Sequence, residues 1–507
     1  MLIDFQYQKH SKKLVLSIVD KTGKLKLKYY DWSYPEKYQN CEFNDPNKEP
    51  IYKSWDGKPV KKVFAGTPDR YAVYEFLDSL PEKEKTEIFE YNDPDMYFID
   101  IETGLDANGQ YSKPIDADGP IQSISIVYGD KIILMGLKEM SADMQKRIID
   151  DTNKYFDKFS DDYSLKYIKY KDEFSMLKSF FEDMMPRMTC ISGWNFIDYD
   201  WTYLLNRARK LSKDINGKEV HIDVLCCSPT RRLNAVWMSV YELPAHKLIF
   251  DYMQLYEAFD TSIKVKESSS LDFVAGKLVG VSKIKYNGSL HKLYDDDFEK
   301  FMYYNAVDSI LVKKIHESKK YISIVFAVSF LAKIKTLDVI SPTKSALASL
   351  AITEGVLRDR YRSMENIVLF KNDDKEAISG EKLAGGWVMD PVTGMSRWVV
   401  IYDFASLYPT TQRQFFISPE NFYGVQKSSK GVTKNDSLVT EDGKIIDLKL
   451  HVVCVNGCVF KKQSSPTLRM LEDVYADRKK AKKMMMTKKE EYQGILNEIK
   501  ELQCQLN

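Results

Sequence analysis

The chain has 507 residues, more than one hydrophobic core usually organises, so a single domain is excluded as the starting expectation and two to four domains are predicted. Hydrophobic residues make up 44% and charged residues 29% of the sequence, which excludes a largely disordered chain. The formal net charge is only +1, so any surface that binds nucleic acid must be a local cluster of basic residues.

The first ninety or so residues have the pattern of short strands and turns. An apolar run at 14–19 is followed by a turn at 20–23 and by the alternating Leu25 and Leu27. A proline-bearing acidic stretch at 91–95 then gives way to an apolar strand at 96–101, which predicts a domain boundary. The second unit is predicted to contain strands at 121–128 and 131–135 and helices around 174–185, 201–210 and 298–319.

The C-terminal part of the chain has a different pattern. A helical stretch runs from Tyr321 to about Tyr361, with a break at Ser341-Pro342, and a strand is predicted at 397–402. After Pro466 there is no proline and only one glycine, so we expect one long helix to residue 507. The end of that helix carries an apolar stripe at helical spacing, formed by Ile495, Ile499, Leu502 and Leu506.

The cysteines and the apolar runs limit where the protein acts. Seven cysteines without regular spacing indicate a reducing compartment, so a cytoplasmic protein is expected. Cys454, Cys458 and His451 lack a fourth ligand at zinc spacing, so no structural zinc is predicted. The longest apolar run, 322–332, is too short to cross a bilayer, and no membrane role is predicted.

Three acidic segments carry the strongest chemical signal. Asp100 and Glu102 lie two apart on a predicted strand, so both side chains point to one face and can share a metal ion. Asp200 precedes a predicted helix, where a carboxylate can cap the helix or reach a cation. Tyr304 and Asp308 are four residues apart on another helix and therefore lie one above the other. Each segment alone has a structural explanation, namely a solvated strand face, a helix cap or a surface pair.

The ordered trio resembles the Exo I, Exo II and Exo III motifs of proofreading exonucleases. The resemblance implies 3′-5′ DNA exonuclease activity on single-stranded 3′ ends, by hydrolysis with two divalent ions. By that resemblance Asp100, Glu102, Asp200 and Asp308 bind metal and Tyr304 orients the attacking water. Ligands that are all oxygen favour Mg²⁺ or Mn²⁺ as the ions, two per active site.

The most specific short match is the segment Tyr402-Asp403-Phe404-Ala405-Ser406-Leu407-Tyr408-Pro409. It resembles motif A of family B DNA polymerases. The resemblance implies that Asp403 binds the catalytic metal ions and that the Phe404 carbonyl is a further ligand. The backbone of Ser406 and Leu407 would then face the nucleotide triphosphate, and Tyr408 would block a ribose 2′-OH.

The resemblance extends to both sides of that segment. Gly385-Gly386 is similar to a Y-x-G-G element of the family, although Leu383 stands where the family has tyrosine, and Ile417 to Glu420 follows motif A as in phage replicative polymerases. On the terminal helix, Arg478 and Lys482 lie on one face, where such a pair can bind a triphosphate. In phage polymerases a matching Arg and Lys on the first fingers helix contact the incoming nucleotide.

The expected fold class is α/β and α+β multidomain. The resemblance implies an N-terminal mixed domain at 1–93 completed by 322–378, an RNase H-like exonuclease domain at 94–321, a partial palm at 379–465, and the first fingers helix at 466–507. The family's K-x-x-x-N-S-x-Y-G helix and D-T-D hairpin are absent from the sequence, as is the thumb. Because two-metal nucleotidyl transfer needs carboxylates on both palm strands, Asp403 alone should not support synthesis.

The leading hypothesis is therefore the N-terminal subunit or fragment of a split, phage-type replicative polymerase. Its expected partners are primer-template DNA, dNTPs, a C-terminal chain with motifs B and C and the thumb, and a sliding clamp reached through that chain, in a bacterial host cytoplasm if the source is viral. One alternative is a stand-alone 3′-5′ exonuclease whose degenerate palm only binds DNA. Another is a non-catalytic DNA-binding scaffold that dimerises through its C-terminal helix as a coiled coil.

Overall fold

The structure is a computed structural model that describes the chain except for the following residues: 9–10, 33–36, 41–51, 54–58, 64–72, 74–75, 78, 216, 236–240, 261, 263–266, 287, 333–334, 340–388, 391–392, 396, 399, 401, 403, 405, 428–438 and 507. The chain divides into two compact units, Met1–Ile352 and Thr353–Asn507. The predicted Gly385-Gly386 element, Leu383, the Ser341-Pro342 break and Asp403 lie outside the described residues.

Two small antiparallel sheets begin the first unit. The first comprises β1 (Leu2–Gln8), β2 (Lys13–Val19) and β3 (Leu25–Asp31), as the alternating pattern predicts, and β2 is its buried centre. The second comprises β4 (Lys37–Asn40), β5 (Tyr52–Lys53) and β6 (Pro59–Val63). Helix α1 (Glu82–Phe89) follows, and its buried Ile88 packs with residues of β1 and β2.

A six-stranded mixed sheet organises the rest of this unit. In spatial order the strands are β10 (Ser164–Lys169), β9 (Lys131–Gly136), β8 (Ile121–Tyr128), β7 (Met96–Thr103), β11 (Cys190–Gly193) and β16 (Leu248–Asp251). The pairs β7/β8 and β8/β9 are antiparallel, and the other three pairs are parallel. Two short hairpins precede β16, formed by β12 (Ser212–Ile215) with β13 (Lys218–His221) and by β14 (Leu233–Ala235) with β15 (Glu242–Pro244).

Helices cover both faces of this sheet, so a hydrophobic core lies on each face. One face carries Ile99 and Ile101 and packs against α3 (Glu173–Ser179) and α4 (Thr202–Lys210). The opposite face carries Phe98 and packs against α8 (Phe298–Lys319) and its neighbours. The remaining helices of the unit are α2 (Ala142–Tyr155), α5 (Tyr252–Phe259), α6 (Leu271–Leu278), α7 (Leu290–Asp296) and α9 (Tyr321–Ala332).

Strand alternation decides which core each residue of β7 joins. Because Ile99 and Ile101 point into one core, Phe98 and the two acids that alternate with them point to the face covered by α8. Helix α8 is buried along most of its length, and its buried residues include the polar Asn305, Asp308 and Ser309. The fold therefore sets acidic residues of β7 against the middle of a buried helix.

The second unit contains helix α10 (Leu407–Gln414), a three-stranded antiparallel sheet and the long helix α11 (Pro466–Leu506). The sheet has the order β17 (Phe422–Val425), β19 (Cys458–Lys461) and β18 (His451–Val453). The single terminal helix predicted from the sequence is confirmed, and its apolar residues Ile495, Ile499 and Leu502 are each about half exposed.

One predicted strand differs from the structure. The described residues of 397–402, namely Arg397, Trp398, Val400 and Tyr402, are not in a β-strand. A strand requires a hydrogen-bonded neighbour, and no described strand pairs with this segment. The helix predicted from Tyr321 ends at Ala332 within the described residues. None of the helices that the structure describes combines the length and the apolar character needed to cross a bilayer.

Candidate metal centre

Two carboxylates of β7 and one of α8 form a cluster of possible ligands. Asp100, Glu102 and Asp308 each offer a carboxylate oxygen, and these oxygens all lie within 4.8 Å of one another. Glu102 and Asp308 are buried, and Asp100 is partly buried. Asp100 and Asp308 are distant in sequence but close in space, because α8 crosses the face of the sheet to which both acids of β7 point.

Asp200 lies beside this cluster on a different element. A single π-helical turn, Ile197–Trp201, leads into α4 and carries the buried Asp200. Asp200 Oδ1 accepts a hydrogen bond from the backbone N–H of Ile101 at 3.0 Å, between the two acids of β7. Residue 251 supports this turn, since Asp251 Oδ2 accepts from the N–H of Ile197 at 3.1 Å. The carboxylate of Asp200 is therefore held by the backbone of β7, and the turn that carries it is held by Asp251 at the end of β16.

Helix α8 contributes three polar side chains to the centre, within little more than one turn. Tyr304 lies one turn before Asp308, so both side chains face the sheet. Between them, Asn305 Nδ2 donates to Asp100 Oδ2 at 2.7 Å. Asn305 Oδ1 in turn accepts from Ser123 Oγ on β8 at 3.0 Å. Polar side chains of two strands and one helix thus meet in a buried layer.

A lysine from an irregular loop completes the centre. Lys283 Nζ lies 2.5 Å from Asp308 Oδ2 and donates to the hydroxyl of Tyr304 at 3.1 Å. The ring of Tyr304 also contacts Tyr286, with centroids 5.2 Å apart and an interplanar angle of 87°. The loop between α6 and α7 therefore brings both a cation and an aromatic ring to the acids.

Burial and mutual repulsion raise the pKa values of the acids. Burial, followed by the charge of Asp308, raises the pKa of Asp100 to about 7. Burial and the charge of Asp100 raise the pKa values of Glu102 and Asp200 well above their ordinary values. Burial also raises the pKa of Asp308, although the ammonium of Lys283 opposes that rise. A cation placed among these carboxylates would favour their charged forms.

The chemistry of the donors fits divalent ions. All candidate ligands are carboxylate oxygens, which Mg²⁺ and Mn²⁺ prefer. Asp308 Oδ1 is buried and has no hydrogen-bond partner among the described residues, and such an atom is costly unless a cation or water contacts it. The orphaned oxygen is therefore available as a ligand.

The polymerase-like residues lie in the second unit. Ser406 has a left-handed backbone (φ 52°) and immediately precedes α10. Arg478 Nη1 on α11 donates to Ser406 Oγ at 3.4 Å, so these two predicted nucleotide-binding residues are brought together. The side chains of Phe404 and Tyr408 are exposed. Leu407 is half exposed and Lys482 is exposed, whereas Asp403 lies outside the described residues.

Sequence reasoning missed Lys283, Asn305 and Ser123. Lys283 lies in a loop without a motif or helical periodicity, so no signal in the sequence singled it out. Asn305 directly follows Tyr304, and an amide among apolar residues of a helix was a signal that could have been followed. Ser123 could be found only through the pairing of β8 with β7, in which it lies opposite Glu102.

Comparison with known protein families finds two matches along the chain. The exonuclease domain of DNA polymerase family B matches residues 74–228, which include β7 and the π-helical turn. DNA polymerase family B matches residues 320–505, which include Ser406 and Arg478. Residues 229–319, with α8, fall between the two matched ranges.

Individual relatives are DNA polymerases of phages and archaea. The DNA-directed DNA polymerase of Escherichia phage RB69 is 24% identical over 268 residues, which cover 52% of this chain and 28% of the relative. That of Enterobacteria phage T4 is 23% identical over 266 residues, covering 51% and 27%. DNA polymerase 1 of Saccharolobus solfataricus is 26% identical over 420 residues, covering 80% and 43%. The matched part of the chain thus spans less than half the length of each relative.

Two separate matches, one to the exonuclease domain of a polymerase family and one to that family itself, therefore define the class to which this chain belongs. The chain belongs to DNA polymerase family B.

Proposed function

We propose that the first unit is a 3′-5′ DNA exonuclease that hydrolyses the terminal phosphodiester with two divalent metal ions. The observation that carries the proposal is the convergence of carboxylate oxygens from Asp100, Glu102 and Asp308 within 4.8 Å, with Asp308 Oδ1 left unpartnered. An RNase H-like fold is part of the proposal, and the strand order with one antiparallel strand, β8, inside an otherwise parallel group around β7 supports it.

The roles of the side chains follow from their positions. Asp100, Glu102 and Asp308 would hold the ions, with Asp200 beside them on the backbone of β7. Ions bound there would supply a water nucleophile at neutral pH and stabilise charge on the phosphate. The hydroxyl of Tyr304 accepts a hydrogen bond from Lys283 and would orient the attacking water. Lys283 would neutralise part of the acidic charge before the ions bind.

We further infer that the chain contributes half of a DNA polymerase site. Motif A supplies Asp403 as a metal ligand with the Phe404 carbonyl, and Tyr408 would exclude a ribose 2′-OH. The Arg478 to Ser406 contact supports a triphosphate site between α11 and the start of α10, to which Lys482 would add charge. Motifs B and C and the thumb would come from a C-terminal polypeptide, in keeping with the share of the relatives that this chain matches.

The proposed assembly is a split replicative polymerase. Its substrates would be primer-template DNA, single-stranded 3′ ends and dNTPs, and a sliding clamp would be reached through the C-terminal partner. The exposed apolar side chains of Ile495, Ile499 and Leu502 on α11 supply a surface for that partner. Action in the cytoplasm, of a bacterial host if the chain is viral, fits the cysteines of the described residues that form no disulfide, which are Cys190, Cys226, Cys227, Cys454 and Cys458.

The exonuclease proposal is tested with a single-stranded DNA labelled at its 5′ end. The purified chain with Mg²⁺ or Mn²⁺ should shorten this DNA from the 3′ end, and EDTA should stop the reaction. A 3′ end blocked by a phosphorothioate linkage is the control substrate, because cleavage there should slow. Binding of Mn²⁺ without any degradation would favour a non-catalytic DNA-binding scaffold instead.

A further inference from the structure

A chain of two hydrogen bonds leads from β8 through α8 to Asp100. Ser123 Oγ lies 3.0 Å from Asn305 Oδ1, and Asn305 Nδ2 lies 2.7 Å from Asp100 Oδ2. Ser123 and Asn305 are fully buried, so water does not reach the contact between these two side chains. Asp100 Oδ1 accepts no hydrogen bond from any described residue, which leaves one oxygen of this carboxylate free for a cation.

The carboxylate of Asp100 determines which group donates in both hydrogen bonds. An ionised carboxylate can only accept, so the NH₂ group of Asn305 must face Asp100. The amide oxygen must then face Ser123, whose hydroxyl is obliged to donate. Rotation of the amide by half a turn would set its oxygen against the carboxylate, which the negative charge of Asp100 opposes, and the hydrogen bond from Ser123 holds the amide oxygen in place beside β8.

We propose that Asn305 is a positioning residue for Asp100 and that Ser123 fixes the orientation of the Asn305 amide. The pair holds Asp100 Oδ2, and a carboxylate oxygen of Asp100 lies within 4.8 Å of those offered by Glu102 and Asp308. This inference rests on the proposed function of the site as a divalent metal centre. Loss of a residue that hydrogen-bonds to a metal ligand commonly lowers metal affinity or activity by about 10- to 100-fold.

Ser125 offers a matched control on the same strand. It lies two residues after Ser123, on the same face of β8 and opposite Asp100 in the register, and it is equally buried. Its hydroxyl has no hydrogen-bond partner among the described residues. Ser123→Ala and Ser125→Ala therefore remove the same atom from similar surroundings, but only the first removes a contact in the chain to Asp100.

The test measures Mn²⁺ binding directly, by electron paramagnetic resonance of free Mn²⁺, in the whole chain and in three variants. Asn305→Ala and Ser123→Ala should raise the apparent Kd for Mn²⁺, by about tenfold for the first. Ser125→Ala should leave it unchanged. The exonuclease rate of Ser123→Ala should recover at saturating Mn²⁺, so that the metal requirement changes more than the maximal rate.

Failure of this inference and failure of the proposed function give different results. If the unchanged protein binds Mn²⁺ and degrades DNA while Ser123→Ala behaves like Ser125→Ala, the positioning role is overturned and the exonuclease proposal stands. If the unchanged protein neither binds Mn²⁺ nor degrades DNA, the proposed function itself is overturned. Thermal melting of each variant identifies any loss of fold, and Ser123→Ala, which deletes one oxygen, remains decisive if Asn305→Ala does not fold.

Discussion

The ammonium nitrogen of Lys283 lies 2.5 Å from Asp308 Oδ2, within a group of carboxylates that repel one another. Removing one partner of a buried ion pair leaves an uncompensated charge, which is more costly than the pair is stabilising. Burial lowers the pKa of Lys283, but the charges of Asp308, Tyr304 and Asp100 together raise that pKa above its ordinary value, so the lysine stays charged. Lys283 thus supplies a permanent positive charge where divalent ions are proposed to bind.

Replacing Lys283 by methionine should shift the acidic limb of the exonuclease pH profile to higher pH by about one unit. The reason is that Lys283 opposes the rise in the pKa of Asp308, so its loss leaves that carboxyl harder to ionise. The measurement is the initial rate of DNA degradation between pH 5 and 9. Lys285→Met is the control, because Lys285 is exposed in the same loop. An equal shift in both variants would mean that general charge, rather than the contact with Asp308, is responsible.

The double variant Asp100→Ala, Glu102→Ala should lose metal-dependent 3′ degradation by at least a factor of about 100, or ~3 kcal/mol of activation free energy. Two of the three clustered ligands are removed, so the ions lose their support from β7. Circular dichroism should show an unchanged fold. Asp150→Ala, an exposed acid on α2, is the control and should retain full activity. Undiminished degradation by the double variant would show that the site lies elsewhere.

The metal-free protein should become less stable as the pH rises from about 4 to about 7. Burial and the Asp308 charge raise the pKa of Asp100 from an ordinary 3.8 to about 7, so in this window the folded chain keeps a proton that the unfolded chain loses. Stability falls with rising pH wherever the folded state binds more protons. Melting in EDTA should show the fall, Asp100→Asn should reduce it, and Mn²⁺ should raise the melting temperature more at pH 7.5 than at pH 5. A melting temperature of the metal-free protein that rises across this window would contradict the assignment.

The isolated chain should not extend a primer with dNTPs, because motif A provides only one of the carboxylates that nucleotidyl transfer needs. Addition of a C-terminal polypeptide with the missing motifs should restore extension. Extension by a mixture that contains Asp403→Ala would refute the half-site interpretation.

In the restored mixture, Arg478→Ala should raise KM for dNTP by about tenfold, since loss of a charge-assisted contact costs ~1.5 kcal/mol or more. Lys489→Ala on the same helix is the control, because Lys489 is exposed. Equal KM values for the two variants would show that Arg478 does not contact the nucleotide.

Local patterns were sufficient for the elements that carry the site. The sequence pattern predicted strand β7. The helical periodicity of 298–319 predicted helix α8 with the same bounds as in the structure. The described residues of the strand expected at 397–402 are the exception, because a short apolar run becomes a strand only when another strand pairs with it.

The sequence by itself determined that Asp100 and Glu102 share one face of a strand and that Tyr304 and Asp308 share one face of a helix, because both relationships follow from backbone periodicity. Only the tertiary structure decided that these two faces meet, since the crossing of α8 over the sheet depends on packing between distant segments. It also decided the contacts of Lys283, Asn305 and Ser123. Their roles depend on distances across the fold, which no spacing along the chain encodes.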